Sequence, residues 1–358
     1  MIELSTIVDK DSILEEIILP FDYSFDGTSK YILPDFKAPL RDGTWSIGLI
    51  VGSSGSGKTQ LLSRNYGITQ EPTWEHNKAI CSQLGDSKES IEKLTGVGLS
   101  DVPSWVKPYH VLSNGQQFRA RMAKSIGDNT SFDEFTSVVD RNVAKSCSNA
   151  INRYIHNKGL KGVVFSSCHY DIIEYLRPDW IFDTLTGNLS FPRGCLQRPQ
   201  IELQISRCET NCWRIFRDHH YLSGDINKAC RSWVAIWDGA IVGFVSVLPM
   251  PSGTLKNAWR EHRLCVLPDY RGLGIGVKIS NAVGDIMLGK GYRYYSKTSH
   301  PILGEYRNSH PEIWRATGKN GWKRPEKYSS NKGIKGMNDK MRINTLSYSH
   351  EYINNSKV

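Results

Sequence analysis

The chain has 358 residues, of which 39% are hydrophobic and 23% charged, globular values for a length that suits two domains rather than one core. No apolar run reaches bilayer-spanning length, and Met1-Ile2-Glu3-Leu4 lacks a basic segment ahead of an apolar one, so neither a membrane span nor a secretion signal is expected. The eight cysteines show no disulfide-scaffold rhythm, which makes reduced thiols in a cytoplasmic protein the expectation. Charge is unevenly placed: residues 1–199 carry 21 Lys and Arg against 23 Asp and Glu, whereas residues 200–358 carry 24 against 13. A basic second half suits a polyanionic partner, nucleic acid first, with a solvated basic face as the plainer reading.

The first half reads as α/β. Residues 45–51 form a buried-strand pattern that runs into Gly52-Ser53-Ser54-Gly55-Ser56-Gly57-Lys58-Thr59, and a helix is predicted from Gln60 onward. Glycines Gly52, Gly55 and Gly57, with Ser53, let backbone N–H groups converge on phosphate oxygens. Lys58 adds a point charge, and Thr59 can ligate Mg²⁺. ATP or GTP binding follows from this motif in its strand–loop–helix context. A second buried strand is predicted at 163–167. Pro192, Gly194 and Pro199 then punctuate a stretch without periodicity, read as a linker. No internal repeat is visible.

Leu112-Ser113-Asn114-Gly115-Gln116-Gln117 resembles the signature of ABC-type ATPases, with Asn in the first glycine slot. Further matches to that family follow in order. Phe132-Asp133-Glu134 looks like the end of its Walker B segment, Asp133 serving Mg²⁺ and Glu134 polarising the attacking water. Ser137-Val138-Val139-Asp140 looks like its D-loop, His169 like its switch histidine, and Gln83 like its Q-loop glutamine at the phosphates and metal. The resemblance implies that Ser113, Gly115 and Gln116 complete the phosphate site of a second subunit, so ATP-driven pairing with another copy or a similar ATPase is implied. Two departures stand out: 127–131 is polar where the family has an apolar strand, and the interval between glycine loop and signature is short for a transporter.

The second half restarts with strand patterns at 233–237 and 241–248 around Asp238-Gly239, a hairpin signature. A strand ending at Pro268 leads into Tyr270-Arg271-Gly272-Leu273-Gly274-Ile275-Gly276 and an amphipathic helix over 277–288. Glycines there allow close backbone approach to a pyrophosphate at a helix N-terminus. Strand, Pro, Tyr-Arg-Gly-x-Gly-x-Gly and helix together resemble the acetyl-CoA loop of the GNAT acyltransferases, over about 205–325. That resemblance makes Arg271, Gly272, Gly274 and Gly276 cofactor-binding positions, with acetyl-CoA or a related acyl-CoA as donor. After a strand at 292–297, Tyr306 is the candidate general acid, with a buried core tyrosine as its plainer reading, and His300 the candidate base. Asp218-His219-His220-Tyr221-Leu222 offers a substrate-facing histidine or, as the minority reading, a metal site with Cys208 and Cys212. The whole arrangement is similar to the GNAT-type proteins of phages and prophages, within them the Mom family of DNA modification enzymes, which implies transfer onto a nucleobase amine. From Arg315 to Arg342, nine Lys and Arg stand against two acids, interleaved with Trp322 and Tyr328, a pattern for phosphate neutralisation and base stacking or else for a solubilising tail.

The expectation is therefore an α/β chain made of an ABC-type ATPase domain at 1–198, a GNAT-like domain at 199–325 and a basic tail at 326–358. ATP, Mg²⁺ and acyl-CoA are the expected cofactors, and nucleic acid, DNA favoured, and a homodimer or similar ATPase are the expected partners, with no membrane.

Overall fold

The computed structural model describes residues 2–21, 23–192, 196–197, 199–220, 224–251, 255–323 and 346–354. The chain divides into two compact units, Met1–Ser100 with Ser104–Pro199, and Asp101–Pro103 with Gln200–Val358. Both are mixed α/β.

The first unit opens with a two-stranded antiparallel ribbon of β1 (Ile2–Ile7) and β2 (Thr28–Leu33) around α1 (Ser12–Ile18). Its main sheet has the order β4-β5-β3-β6-β7, built from β3 (Ile47–Val51), β4 (Ser131–Phe132), β5 (Val163–Ser167), β6 (Trp180–Asp183) and β7 (Asn188–Ser190). The first four of these in the sheet run parallel and β7 closes the edge antiparallel. The helices are α2 (Lys58–Tyr66), α3 (Ser87–Gly96), α5 (Asn114–Ser125), α6 (Arg141–Lys158) and α7 (Ile173–Leu176), with α4 (Val102–Trp105) divided between the two units. Every residue of β3 and β5 is buried, as expected for central parallel strands covered on both faces. Successive side chains of β3 serve opposite layers: Ile47, Leu49 and Val51 join a core with Phe118, Phe135 and Ile151, and Ile50 joins Leu61, Leu62 and Trp180. Gly48 must stay small, because a Cβ there would lie 2.1 Å from Trp180 Cζ2.

The polar segment ahead of Asp133 shapes β4. Thr130 Oγ1 donates to Gly127 O at 2.8 Å and Asn129 takes φ 58°, a side-chain-held turn in place of strand. Only Ser131 and Phe132 pair with β5, which is enough to deliver Asp133 beside that strand.

The second unit holds one sheet in the order β13-β15-β12-β11-β10-β9-β8, with β14 on β15. Its strands are β8 (Gln204–Cys208), β9 (Arg231–Trp237), β10 (Ala240–Pro249), β11 (Ala258–Val266), β12 (Arg293–Thr298), β13 (Trp314–Ala316), β14 (Trp322–Lys323) and β15 (Leu346–Tyr352). The helices are α8 (Ile275–Gly289) and α9 (Pro301–Asn308). Asp238 and Gly239 both take positive φ, 50° and 75°, the turn that an Asp-Gly hairpin requires. α8 covers β10, β11 and β12, while Trp213 and Phe216 pack with Val234, Phe244 and Cys265 on the opposite face.

One expectation is corrected here. The stretch from 346 is not tail: β15 lies between β12 and β13, pairing Tyr294 with Tyr352 and Trp314 with Tyr352, and Tyr352 is buried. Most of the basic stretch, with Tyr328 and Arg342, lies outside the described residues, as do Gly194, Tyr221 and Leu222.

Candidate functional site

Each unit carries a site of its own. In the first, β3 ends at Val51 and the chain turns through Gly52 to Gly57 into α2. Gly52 is packed so closely that a Cβ would meet Thr184 Oγ1 at 1.8 Å. Thr184, at the end of β6, also shares a 2.6 Å hydrogen bond with Ser56 Oγ and donates to Val51 O. Gly55, at φ 77°, faces open space, and Gly57, at φ 82°, caps α2 without any side-chain hydrogen bond. The first N–H groups of α2 are thus left without a side-chain cap, a pattern suited to an anion. Lys58 Nζ donates to Ser53 O at 2.6 Å, which folds the lysine back over the loop, and Thr59 is exposed in the first helical turn. The residues fit a nucleotide phosphate. Tyr31, on β2, stands beside this helix start, its Cε1 3.2 Å from where a Gly57 Cβ would be.

β5 positions the acidic segment. Ser166 Oγ donates to Asp133 Oδ1 and accepts from the Glu134 N–H at 3.2 Å, and the Phe135 N–H donates to Ser166 O at 2.7 Å. Glu134 and Thr136 hold positive φ, 49° and 72°, conformations that cost a non-glycine residue on the order of 1 kcal/mol each and that these bonds over-determine. Glu134 is exposed. His169 Nδ1 lies 3.1 Å from Thr136 Oγ1. Burial, then the charge of Arg141, lowers the His169 pKa against the opposing pull of Asp171, so the ring is neutral near pH 7. Asp133, Glu134 and His169 are therefore bound into one hydrogen-bonded edge across β4 and β5. Ser113 caps α5 in a reciprocal capping box with Gln116, and Gln116 Nε2 reaches Ser104 Oγ at 2.8 Å. A Cβ on Gly115 would lie 3.1 Å from Val139 Cγ1, so the signature glycine packs against the segment that ends in Asp140, itself the cap of α6.

Gln83 is corrected. Its Oε1 accepts from the Glu75 N–H at 2.8 Å and its Nε2 donates to Lys78 O at 3.0 Å. Among the described residues, no hydrogen bond ties it to the glycine loop or to Asp133; it braces the 75–79 loop instead. Its order in the sequence between the two motifs says nothing about where the amide points.

In the second unit the parallel pairing of β11 with β12 covers only Ala258 to Arg260 against Arg293 to Tyr295. Past that point the strands part, β12 pairing onward with β15. An extra residue, His262, sits in β11 where Glu261 and Arg263 pair with successive residues of β10. At the open end stand the loop and His300. Gly272 and Gly274 take φ 87° and 82°, which only glycine adopts freely, and a Cβ at Gly274 would meet nothing. Gly276, inside α8, would make only an ordinary contact with Val266 Cγ2 at 3.5 Å. This open, glycine-lined start of α8 beside the β11 edge where pairing with β12 has ended fits the phosphates and amide arm of an acyl-CoA. Arg271 donates from Nε to Val266 O at 2.9 Å and from Nη2 to His219 O at 2.7 Å, so it fastens the end of β11 to the 217–219 turn. His300 precedes Pro301 at the start of α9, and its buried Nδ1 has no hydrogen-bond partner. Burial, and next the charge of Arg271, lowers its pKa. A neutral imidazole with a free, inward nitrogen can take a proton.

Tyr306, the candidate general acid, lies within α9. It stands six positions after His300, about 9 Å along a helix axis. Its ring stacks on His310 at 4.1 Å, and its electrostatic neighbour is Tyr352, which pairs with Tyr294 at the closed end of the splay. The structure brings His300, not Tyr306, to Arg271. His220 is buried with its ring edge-on to Trp213 at 5.4 Å, and no group of three or more His, Cys, Asp or Glu side chains disposed to hold a metal occurs among the described residues.

Sequence reasoning missed the base of the splay. Glu261, buried on β11, accepts from Ser280 Oγ at 2.7 Å, Tyr294 OH at 2.9 Å and Ser296 Oγ at 2.9 Å. Arg307, 1% exposed, reaches both Glu261 oxygens at 3.3 Å and donates to Ser280 and Ser296. Burial pushes the Glu261 carboxyl up, but Arg307 and then the three hydroxyls bring it below the ordinary value. An acid inside the strand pattern of 258–266 was the available signal. Thr184 and Tyr31 carried none, because only folding brings them to the glycine loop.

A family model described as the acetyltransferase (GNAT) family matches residues 199–302. A comparison with curated proteins gives no match. Among solved structures, the chain is similar to an IAA acetyltransferase from Bacillus cereus ATCC 14579, at 12% identity and TM-score 0.28 over 42% of this chain and 96% of that one. It is similar also to the spermidine/spermine N-acetyltransferase SpeG from Vibrio cholerae, at 12% identity and TM-score 0.31 over 44% and 96%. A third likeness is to the ATP-binding cassette MJ0796, a dimer bound to ADP and Pi, at 16% identity and TM-score 0.35 over 44% and 89%. The family match supports a GNAT acetyltransferase domain over residues 199–302.

Proposed function

We propose that this chain joins an ATP-binding and ATP-hydrolysing unit, pairing with a second copy, to CoA-dependent acyl transfer onto an amine of nucleic acid. The observation that carries the transfer half is His300: a half-buried, neutral imidazole with a buried, unpartnered Nδ1 at the open end of the β11–β12 splay, beside the glycine loop. Acyl-CoA, when bound, supplies the thioester. Gly272 and Gly274 would admit the phosphates to the start of α8, and the edge of β11 past Arg260 that faces away from β10, where pairing with β12 has ended, would orient the amide arm. His300 Nδ1 would take the proton of the attacking amine as its nitrogen bonds the acyl carbon, while the thioester C–S bond breaks and CoA leaves as a thiolate that takes a proton from water. In the first unit Lys58 and the uncapped start of α2 hold the nucleotide phosphates. Thr59 and Asp133 would hold Mg²⁺, Glu134 orients the attacking water, and neutral His169 accepts a hydrogen bond at the nucleotide. Exposed Ser113, at the capped start of α5, is available to a second copy's nucleotide. The acceptor class rests on the basic second half and on the likeness to Mom-type modification enzymes. The test is mass spectrometry of nucleosides from DNA co-expressed with wild type, Lys58→Ala or Gly274→Glu chains. A modified base in the wild-type digest that fades in both variants is expected, and three digests identical to the empty control would end the reading.

A further inference from the structure

The face of the second sheet that carries α8 continues beyond the helix onto β9 and β8, and its residues there form a pattern the transfer site does not use. Alternation along β9 puts Arg231 and Trp233 on that face, since they pair with Val247 and Val245, which lie in register with Glu261 and Leu264 on the α8 side. Arg207 of β8 pairs with Trp233. The guanidinium of Arg207 stacks on Trp233 at 4.6 Å from the ring centroid, and that of Arg231 lies 4.3 Å from Trp259 and 5.5 Å from Tyr292. Among the described residues neither arginine has a carboxylate within ion-pair distance. Exposed Lys228 shares an open groove with Arg207 and Thr210, two bases against the single acid Glu209. Burial, then the like charge of Arg231, lowers the Arg207 pKa, a repulsion that an anion between them would relieve.

We infer that this face is a landing surface for single-stranded nucleic acid, with phosphates on the guanidinium edges and bases on their outer planes and on Tyr292. Neighbouring strands stand about 4.8 Å apart and residues two apart along a strand about 6.7 Å, so Arg207 and Arg231 are spaced to meet successive phosphates of one strand. An arginine held over an aromatic ring can still offer its guanidinium plane to a base, and it loses less entropy on binding than a free lysine does. A duplex keeps its bases stacked inside and cannot use those planes, and an acidic peptide has no rings to lay on them. The inference deepens the acceptor class proposed above and rests on it.

The test uses full-length protein and a fluorescein-labelled oligothymidylate, with affinity read by anisotropy across a salt series. For Arg207→Ala with Arg231→Ala, the slope of log affinity against log salt is expected to become shallower by about 1.4, two contacts at ~0.7 each for a single strand. For Arg207→Lys with Arg231→Lys, the slope is expected to stay while affinity falls several-fold, because charge is kept and stacking lost. CoA release with a small amine, unchanged in both variants, reports intact folding. A wild-type slope retained in the double alanine variant overturns the surface while leaving the acceptor reading standing. Equal or tighter binding of the matching duplex or of polyglutamate overturns the choice of partner. A wild-type chain that binds no nucleic acid ends the acceptor reading itself.

Discussion

Replacing Arg307 by leucine tests whether the Glu261 cluster holds the base of the splay. The substitution removes a guanidinium 1% exposed, its bonds to Glu261, Ser280 and Ser296, and its stack over Trp314 at 4.2 Å. It leaves a buried carboxylate with only hydroxyl donors. Breaking a buried pair from one side costs about 3–5 kcal/mol, which is several times the net value of the hydroxyl bonds that stay. The sign with pH follows from the two states of Glu261. In the wild type its folded pKa is lowered, so its contribution is present above the unfolded value and is lost as pH falls through the lowered one. In the variant burial acts alone, the folded pKa rises, and the penalty at neutral pH relaxes as the carboxyl takes up a proton on acidification. The gap between variant and wild type should therefore narrow between about pH 7 and pH 5. Hydrogen exchange of peptides from β11, β12 and α9, followed by mass spectrometry, reads this locally and without assuming that both units unfold together. Glu261→Gln added to Arg307→Leu should recover at least half of the loss, since no buried charge remains. A deficit below about 1 kcal/mol, or one equal at both pH values, would refute the reasoning.

Three further outcomes are expected. His300→Gln should slow acyl transfer by about 10²–10⁴-fold. In the wild type the acid limb of the pH–rate profile should fall below the ordinary histidine value of about 6.5, because the neutral form is required and the folded pKa is lowered; a limb above that value would contradict the assignment. Glu134→Gln should retain ATP in equilibrium binding while single-turnover hydrolysis drops by about 10²–10⁴-fold. Tyr31→Ala should weaken ATP binding by about 1–3 kcal/mol, with Tyr31→Phe near wild type, if calorimetry is to bear out a ring that stacks on the base beside Gly57.

What the sequence determined by itself is local chemistry. Gly52 to Thr59 and Arg271 to Gly276 are legible because a phosphate-binding turn is made by residues adjacent in the chain, and glycines at φ near +80° announce it whatever the rest of the fold does. The Asp-Gly hairpin and the buried strands β3 and β5 are legible for the same reason, since period and turn chemistry act over a few residues. Tertiary structure alone decided the rest. Tyr306 and His300 are both polar side chains six positions apart, and only the direction in which α9 leaves Pro301 decides that the His300 ring lies near Arg271 while the Tyr306 ring stacks on His310. Gln83 is an amide in the expected interval, yet its hydrogen bonds are set by a loop that the interval does not describe. Glu261 and Arg307 are 46 residues apart, and Thr184 is 132 from Gly52, so their contacts exist only once strand order is set. The strand at 346–352 reads as part of a polar tail until it is placed between β12 and β13, where its pairing partners and the burial of Tyr352 stabilise it. Such pairings are non-local: their energy depends on which chain segments become neighbours, and no window of sequence contains both sides of the contact.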